Sequence, residues 1–218
     1  MGLLEQPLDE DGIFYILASI GAIIAGWLVV NFESDPRIFF GFGFLLLVSI
    51  VYRFVKDSPY FDSINIFSDK PHIDIILGLV FSAAWYFALF PTKYGVLPLP
   101  PLPAEVLAVG PAAFLSVVLL APIAEEYFFR GSLLPQIKSI FGRYDWFFAI
   151  VISALLFSLF HWTVYLRGAL SSALIASFIF GLYVGGITYW RKQLSSAIII
   201  HAIVNFLIVS PQYVMILL

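Results

Sequence analysis

The chain is divided into long stretches without Asp, Glu, Lys or Arg, separated by short segments that gather the charged residues. A membrane-spanning helix needs about 20 consecutive apolar residues. Six stretches are long enough, and the second becomes so when it is extended through Arg53 to Val55. The pattern therefore predicts seven transmembrane helices, with six or eight as the alternatives. The uncharged runs are 12–32, 38–52, 75–92, 106–124, 146–166, 168–190 and 193–218.

The composition supports the same fold class. Of the 218 residues, 61% are apolar and 11% are charged, whereas soluble domains have about 45–50% and about 25%. A water-soluble globule is therefore excluded, and the predicted fold is an all-α polytopic membrane helix bundle. The net charge of −3, with scattered basic residues, excludes nucleic-acid binding. The absence of cysteine excludes disulfides and thiolate metal sites.

The charged segments predict a division of the chain and an orientation in the membrane. Residues 1–105 are predicted to form N-terminal transmembrane helices, with segment 56–74 lying along the membrane interface. Residues 106–218 form the predicted second part, which carries the chemistry. With seven spans, eight Lys and Arg residues fall on the side of the N-terminus and three on the other. We therefore expect a multi-pass membrane protein whose N-terminus is cytoplasmic.

Two adjacent glutamates stand in or near the fourth span. Ionisable side chains inside a span cost about 2.5–3.5 kcal/mol on insertion scales and therefore mark functional sites. Glu126 and Arg130 are four residues apart, so they share a helix face and can pair. Glu125 has no cation at this spacing and is left in an apolar setting, which suits a general base. The helix is predicted to run from about Pro111 to Leu134 and to be stopped by Pro135.

Two histidines and an amide lie in the later spans. By helical rise, His201 lies about 12 Å and Glu125 about 14 Å from the same membrane side, and Asn205 shares a face with His201. His161 lies about 22 Å from that side, so its joining the other groups requires a tilted helix, a helix that begins above the membrane or a deeper site. Alternatively, the glutamates are only the flank of the fourth span at the membrane interface. Together, however, the four groups favour a functional site.

Several intramembrane chemistries leave motifs that this sequence lacks. It has no HExxH for a zinc metalloprotease, no GxSxG around a serine nucleophile, and no aspartate pair inside the spans. The remaining glutamates, histidines and asparagine suit a hydrolase with a glutamate-activated water, with or without a metal. Zinc is a possible cofactor, because Glu and His are among its usual ligands. The candidate ligands are Glu125, His161 and His201.

Three motifs follow one another along the chain: EExxxR at 125–130, FxxxH at 157–161 and HxxxN at 201–205. In this order they resemble the CAAX prenyl protease and bacteriocin-processing family, which includes Rce1-type CAAX proteases and Abi proteins. The resemblance covers about residues 106–210. It implies a fold of seven or eight helices whose four-helix core encloses the active site.

The resemblance also implies roles for the motif residues. Glu125 would activate water with the help of His161, while His201 and Asn205 would stabilise the oxyanion formed on the scissile carbonyl. The substrate would be a peptide or protein that enters from the membrane. Three further residues would support this geometry: Glu126, Arg130 and Phe157.

Two other classes of function remain open at this stage. A membrane scaffold or bacteriocin-immunity protein could keep the fold and the polar cluster while only binding a membrane partner. A transporter could use the same cluster as a proton relay. A protease would lose activity on Glu125→Gln, whereas a scaffold would tolerate this change, which keeps shape and removes only charge.

Overall fold

The computed structural model describes residues 67–89, 114–141, 145–165 and 170–217, and helices make up nearly all of these residues. The all-α prediction is confirmed for these ranges, which contain no β-strand. The first two predicted spans lie outside them. In chain order the elements are α1 (Pro71–Leu89), a first π-helical segment (Ser116–Leu120), α2 (Ala121–Glu126), a second π-helical segment (Tyr127–Leu133), α3 (Leu134–Phe141), α4 (Asp145–Tyr165), α5 (Leu170–Arg191) and α6 (Leu194–Leu217).

The last three uncharged runs correspond closely to helices. Runs 146–166, 168–190 and 193–218 match α4, α5 and α6 to within two residues at each end. Helix α1 begins four residues before run 75–92, at Pro71, because proline is well suited to the first turn of a helix. Apolar composition therefore located these helices correctly.

One stretch in the described part of the chain is long and apolar enough to cross a membrane. It is Leu174–Arg191 in α5, with a mean hydropathy of 1.2. Shorter apolar stretches occur in three other helices, at Pro71–Ala84, Trp146–His161 and Leu194–Leu207. Many large apolar side chains also face outward, among them Phe147, which is 70% exposed.

The helical chain that carries the glutamates does not stop where the sequence predicts. Helical backbone continues through Pro135 to Phe141, so the predicted end at Leu134 is wrong. Pro135 is the second residue of α3. In the first turn of a helix the missing N–H of proline leaves no α-helical hydrogen bond unmade. The proline is therefore tolerated where the second π-helical segment passes into α3.

Glycines allow close contact between α4 and α5. A Cβ atom on Gly181 would lie 3.0 Å from the Cα and Cβ atoms of Ala154, and one on Gly185 would lie 3.1 Å from Ile150. The GxxxG spacing thus forms a packing surface inside the chain, in the manner of small-residue contacts between membrane helices. Helix α1 packs against α6, where Gly78 meets Ile203.

A cluster of polar side chains joins the start of α1 to the turn between α5 and α6. Asp74 is fully buried, accepts a hydrogen bond from Ser68 and lies 3.4 Å from the Nε atom of Arg191. Arg191 and Gln193 also donate to Asp69 over 2.8 and 2.6 Å. We call these five residues the α1 clasp. The sequence assigns Asp74 to the interfacial segment, but in the structure it lies inside the protein.

Candidate active site

The two glutamates lie at the end of the short helix α2, between the two π-helical segments. Each side chain is almost completely buried, with Glu125 4% and Glu126 0% exposed. A π-helical turn holds an extra residue, and such turns inside α-helices are frequent at functional sites. Both carboxylates are buried in the protein, although residues 125 and 126 are adjacent and lie about 100° apart on a helix.

Glu126 and Arg130 form a buried ion pair. The Nη1 atom of Arg130 lies 3.1 Å from both carboxylate oxygens of Glu126. Its Nη2 atom donates to the carbonyl oxygen of Gly181 over 3.2 Å, and its guanidinium carbon lies 4.4 Å from the ring centroid of Phe157. A buried charge is costly unless it is paired and hydrogen-bonded. Arg130 satisfies this condition with contacts on three helical elements.

His161 faces Glu125. Its Nδ1 atom lies 3.0 Å from the carbonyl oxygen of Phe157, one helical turn earlier. Because a carbonyl oxygen can only accept, Nδ1 must carry a hydrogen, and Nε2 is an acceptor when the ring is neutral. This Nε2 atom lies 3.5 Å from Oε2 of Glu125. Two acceptor atoms therefore face each other across a gap in which a proton or a water molecule is required.

His201 connects the two glutamates. Its Nδ1 atom lies 2.7 Å from Oε1 of Glu126, and its Nε2 atom lies 3.9 Å from Oε2 of Glu125. The carboxylate fixes the hydrogen on Nδ1, by the same reasoning as for His161. The Oε2 atom of Glu125 is buried and accepts no hydrogen bond from the described residues. It is thus the point at which both imidazole Nε2 atoms converge.

Asn205 lies one turn after His201 and contacts a different group. Its Nδ2 atom donates to the carbonyl oxygen of Val117 over 2.9 Å, in the first π-helical segment. An amide nitrogen has two hydrogens, so this contact leaves one N–H for a further acceptor. The structure thus brings together Glu125, His161 and His201 directly, and it ties Asn205 to the helical chain that carries the glutamate.

Aromatic rings form one side of the cluster. The ring of Phe157 lies 4.1 Å from that of His161 and 5.9 Å from that of His201, measured between centroids. Phe180, which the sequence analysis did not single out, lies 4.8 Å from His201. The contacts made by the Val117 and Gly181 carbonyls were also missed. No sequence pattern identifies them, because backbone acceptors have no residue type.

The predicted mismatch in depth between Glu125 and His161 is explained by the true length of the helical chain that carries the glutamates. That chain ends at Phe141, sixteen residues after Glu125, and α4 begins at Asp145, sixteen residues before His161. The mismatch arose from ending the helix at Pro135. The contact between Glu125 and His161 therefore needs no unusual tilt.

The proposed metal ligands do not form a recognisable metal centre. Within the described residues, no group of three or more His, Asp and Glu side chains has the arrangement that could hold a metal ion. The Oε2 atom of Glu125 lies 3.5 Å and 3.9 Å from the Nε2 atoms of His161 and His201, which is longer than a direct hydrogen bond. A zinc cofactor therefore stays a prediction from the sequence.

The fold and the cluster together define a class: an all-α domain with a buried glutamate held between two histidines and beside an Arg–Glu pair. Residues 107–207 match the family model described as type II CAAX prenyl endopeptidase, Rce1-like. This segment is similar to that family, which confirms the resemblance indicated by the three motifs. The Rce1-like family consists of membrane-embedded proteases. No curated protein and no solved structure matched the chain.

Proposed function

We propose that the chain is an intramembrane endopeptidase of the CAAX protease type that hydrolyses a peptide bond with water activated by Glu125. One observation carries the proposal: the buried Oε2 atom of Glu125 lies 3.5 Å from His161 and 3.9 Å from His201, with no hydrogen bond from the described residues. A buried carboxylate without a donor is costly. Such an arrangement is typical of a group that binds and deprotonates a substrate or water.

Water would be activated between Glu125 and His161. Both facing atoms are acceptors when the histidine is neutral, and a water molecule can donate one hydrogen to each of them. Glu125 then takes a proton while the water oxygen attacks the scissile carbonyl carbon. When the tetrahedral intermediate collapses, the same proton passes to the leaving amine, so no net charge accumulates in the site.

His201 and Asn205 would stabilise the oxyanion formed in this step. Asn205 has one N–H that its contact with Val117 does not use. His201 donates from Nε2 only when it is protonated, since Nδ1 already faces Glu126. In that form the ring would hold the Glu126 carboxylate through Nδ1 and the oxyanion through Nε2. Donors of this kind typically contribute about 2.7–4 kcal/mol to transition-state stabilisation.

The domain would act from within a multi-pass bundle whose N-terminus is cytoplasmic. Exposed apolar side chains support this placement, since Ile175 and Ile179 of α5 are 54% and 43% exposed and large exposed apolar patches mark surfaces that contact lipid or partners. A peptide or protein substrate would enter from the bilayer. A scaffold role becomes less favoured, because binding a partner does not require a glutamate oxygen that converges with two imidazoles. The family match favours a protease over a proton-coupled transporter.

Cleavage of a peptide library tests the proposal. The library contains unmodified peptides and peptides with a prenylated cysteine near the C-terminus, and the enzyme is the full chain in detergent. We expect wild type to cleave peptides of the library. The Glu125→Gln and His161→Ala variants should cleave them at least about 100-fold more slowly. Asp69→Asn is the matched control, because it makes the same change of carboxylate to amide on an exposed side chain outside the site.

Each result has a defined meaning once circular dichroism has shown that the variants fold. Cleavage by wild type and by Asp69→Asn, but not by the other two variants, supports the protease. Parallel reactions with a chelator decide whether a metal takes part. If Glu125→Gln cuts as fast as wild type, Glu125 is not the base. If wild type cuts nothing in either peptide class, a scaffold or immunity protein becomes the better account.

A further inference from the structure

Two lysines from different parts of the chain converge on one indole ring at the end of the bundle formed by α3, α4 and the turn after α5. The Nζ atom of Lys138 lies 4.6 Å from the ring centroid of Trp146, and that of Lys192 lies 3.9 Å from the same centroid. Lys192 also lies 4.0 Å from the ring of Tyr189. We call these four residues the lysine–tryptophan cluster.

Like charges gathered without a counter-ion require an explanation. In the described part of the chain neither ammonium group pairs with a carboxylate, although Arg191, next to Lys192, pairs with two. Burial lowers the pKa of Lys192, and the charge of Lys138 lowers it further. The aromatic rings hold both cations in place through cation–π contacts, but they supply no negative charge.

The backbone of Lys192 has a conformation that few residue types other than glycine adopt readily. Its φ angle is 55°, and its N–H bonds to the carbonyl oxygen of Thr188 over 2.8 Å, which makes it the left-handed residue that ends α5. Glycine is the usual residue there, because a side chain is unfavourable in this conformation. A lysine in this conformation is a local cost that is commonly associated with function, and it directs the ammonium group over two rings.

We propose that the lysine–tryptophan cluster binds the phosphate group of an anionic phospholipid at the membrane interface. A phosphate would supply the missing charge and accept hydrogen bonds from both ammonium groups, while Trp146 and Tyr189 belong to the residue types that favour this depth of the bilayer. The neighbouring Trp190 is 65% exposed and extends the aromatic surface towards lipid. The cluster is separate from the glutamate site, so the proposal does not depend on peptidase activity.

Lipid binding to the full chain in detergent tests this site by native mass spectrometry. The ligands are short-chain phosphatidylglycerol, phosphatidylcholine of the same chain length, and sodium phosphate at matched ionic strength. The variants are Lys138→Gln/Lys192→Gln and Lys192→Gly. The control is Lys56→Gln/Lys70→Gln, which changes the net charge by the same amount.

We expect wild type and the control to bind phosphatidylglycerol in preference to phosphatidylcholine, and the double variant to bind phosphatidylglycerol about tenfold more weakly. Lys192→Gly should fold at least as stably as wild type, because glycine suits the left-handed backbone, and should still lose several-fold in affinity. It therefore provides a test even if the double variant fails to fold. An unchanged preference in Lys192→Gly, or an equal loss in the control, would overturn the site. Displacement of the lipid by equimolar sodium phosphate would show instead that the site takes free phosphate.

Discussion

The described part of the chain contains two arginine–carboxylate clusters that differ in their surroundings. Arg130 is fully buried with Glu126, and it also contacts a backbone carbonyl and the aromatic rings of Phe129 and Phe157. Arg191 is partly exposed and divides its contacts between the buried Asp74 and Asp69, whose side chain is 58% exposed. The first cluster contacts His201 beside Glu125, the proposed base, whereas the second ties α1 to the bundle.

Burial determines how much each cluster matters. In the interior, an ion pair that loses one partner leaves the other charge without water, so the loss is large even when forming the intact pair contributes little. In the α1 clasp the exposed Asp69 returns to solvent when its partner is lost, whereas the buried Asp74 does not. The Arg130 cluster lies within residues 107–207, whereas Asp69 and Asp74 lie outside that segment. The α1 clasp therefore joins a neighbouring helix to the family domain.

The largest predicted difference comes from removing each arginine in turn. Arg130→Met should lower the free energy of unfolding by about 3–5 kcal/mol, because Glu126 is then buried without its cation. It should also abolish cleavage, since Glu126 holds His201. Arg191→Met, the matched control, also leaves a buried carboxylate, Asp74, without its cation, but it lies outside the site. Cleavage per folded molecule should therefore stay near wild type. Thermal unfolding in detergent and the peptide assay measure both effects, and an equal loss of cleavage per folded molecule in the two variants would contradict the comparison.

A methyl group on Gly181 should weaken the first cluster without touching a charge. In Gly181→Ala the new Cβ would lie 3.0 Å from Ala154, so α4 and α5 must separate slightly. We expect a loss of about 1–3 kcal/mol and slower cleavage, because the carbonyl that binds Arg130 moves. Gly186→Ala is the control, since nothing lies within 4 Å of its Cβ position. That change should be neutral or stabilising by up to about 1 kcal/mol. A Gly181→Ala enzyme as stable and active as the control would refute this role.

The smallest effect is expected when the pH is lowered and Asp69, the exposed carboxylate of the α1 clasp, becomes protonated. The hydrogen bond from Gln193 lowers the pKa of Asp69; desolvation opposes this and the charge of Arg191 adds to it. Because the folded pKa is the lower one, the contribution of Asp69 is complete above its unfolded pKa of about 4 and is lost as the pH falls through the folded value. Protection of the α1 amides against hydrogen exchange, corrected for the intrinsic exchange rate at each pH, should therefore fall at acid pH.

The Asp69→Asn variant isolates this carboxylate from the other acids of the protein. Its α1 amides should be less protected than those of wild type at neutral pH, and their protection should depend less on acidification. If wild type and the variant respond to acid in the same way, Asp69 does not hold α1. The result then assigns the clasp to Asp74 and Arg191 alone.

The sequence predicted the helices well and their contacts less well. Apolar runs located α4, α5 and α6 because a helix in an apolar environment excludes charge over its whole length. The stop at Pro135 was wrong because proline also suits a first turn, and no residue pattern announces a π-helical turn. The α1 clasp was not foreseen either, since Asp74 and Arg191 come together only through the packing of α1 on α6.

Within the site, spacing predicted neighbours on one helix but not partners on different helices. The four-residue spacing suggested the Glu126–Arg130 contact directly. The meeting of Glu125 with His161 depended on where two helices begin and end, which composition locates only to within a turn. His201 was expected to accompany Asn205, yet its shortest polar contact is with Glu126, because depth along a helix does not specify rotation about its axis.

The acceptor for Arg130 has a genetic consequence. The carbonyl oxygen of residue 181 is present whichever amino acid is encoded there, so no mutation can delete it. A mutational scan, which detects function through the loss of side chains, would therefore not detect this contact. It would appear only indirectly, as an intolerance of bulk at Gly181 and Ala154. A position at which every larger residue is rejected and the smallest is kept can therefore mark an anchor of the active site rather than a mere gap between helices.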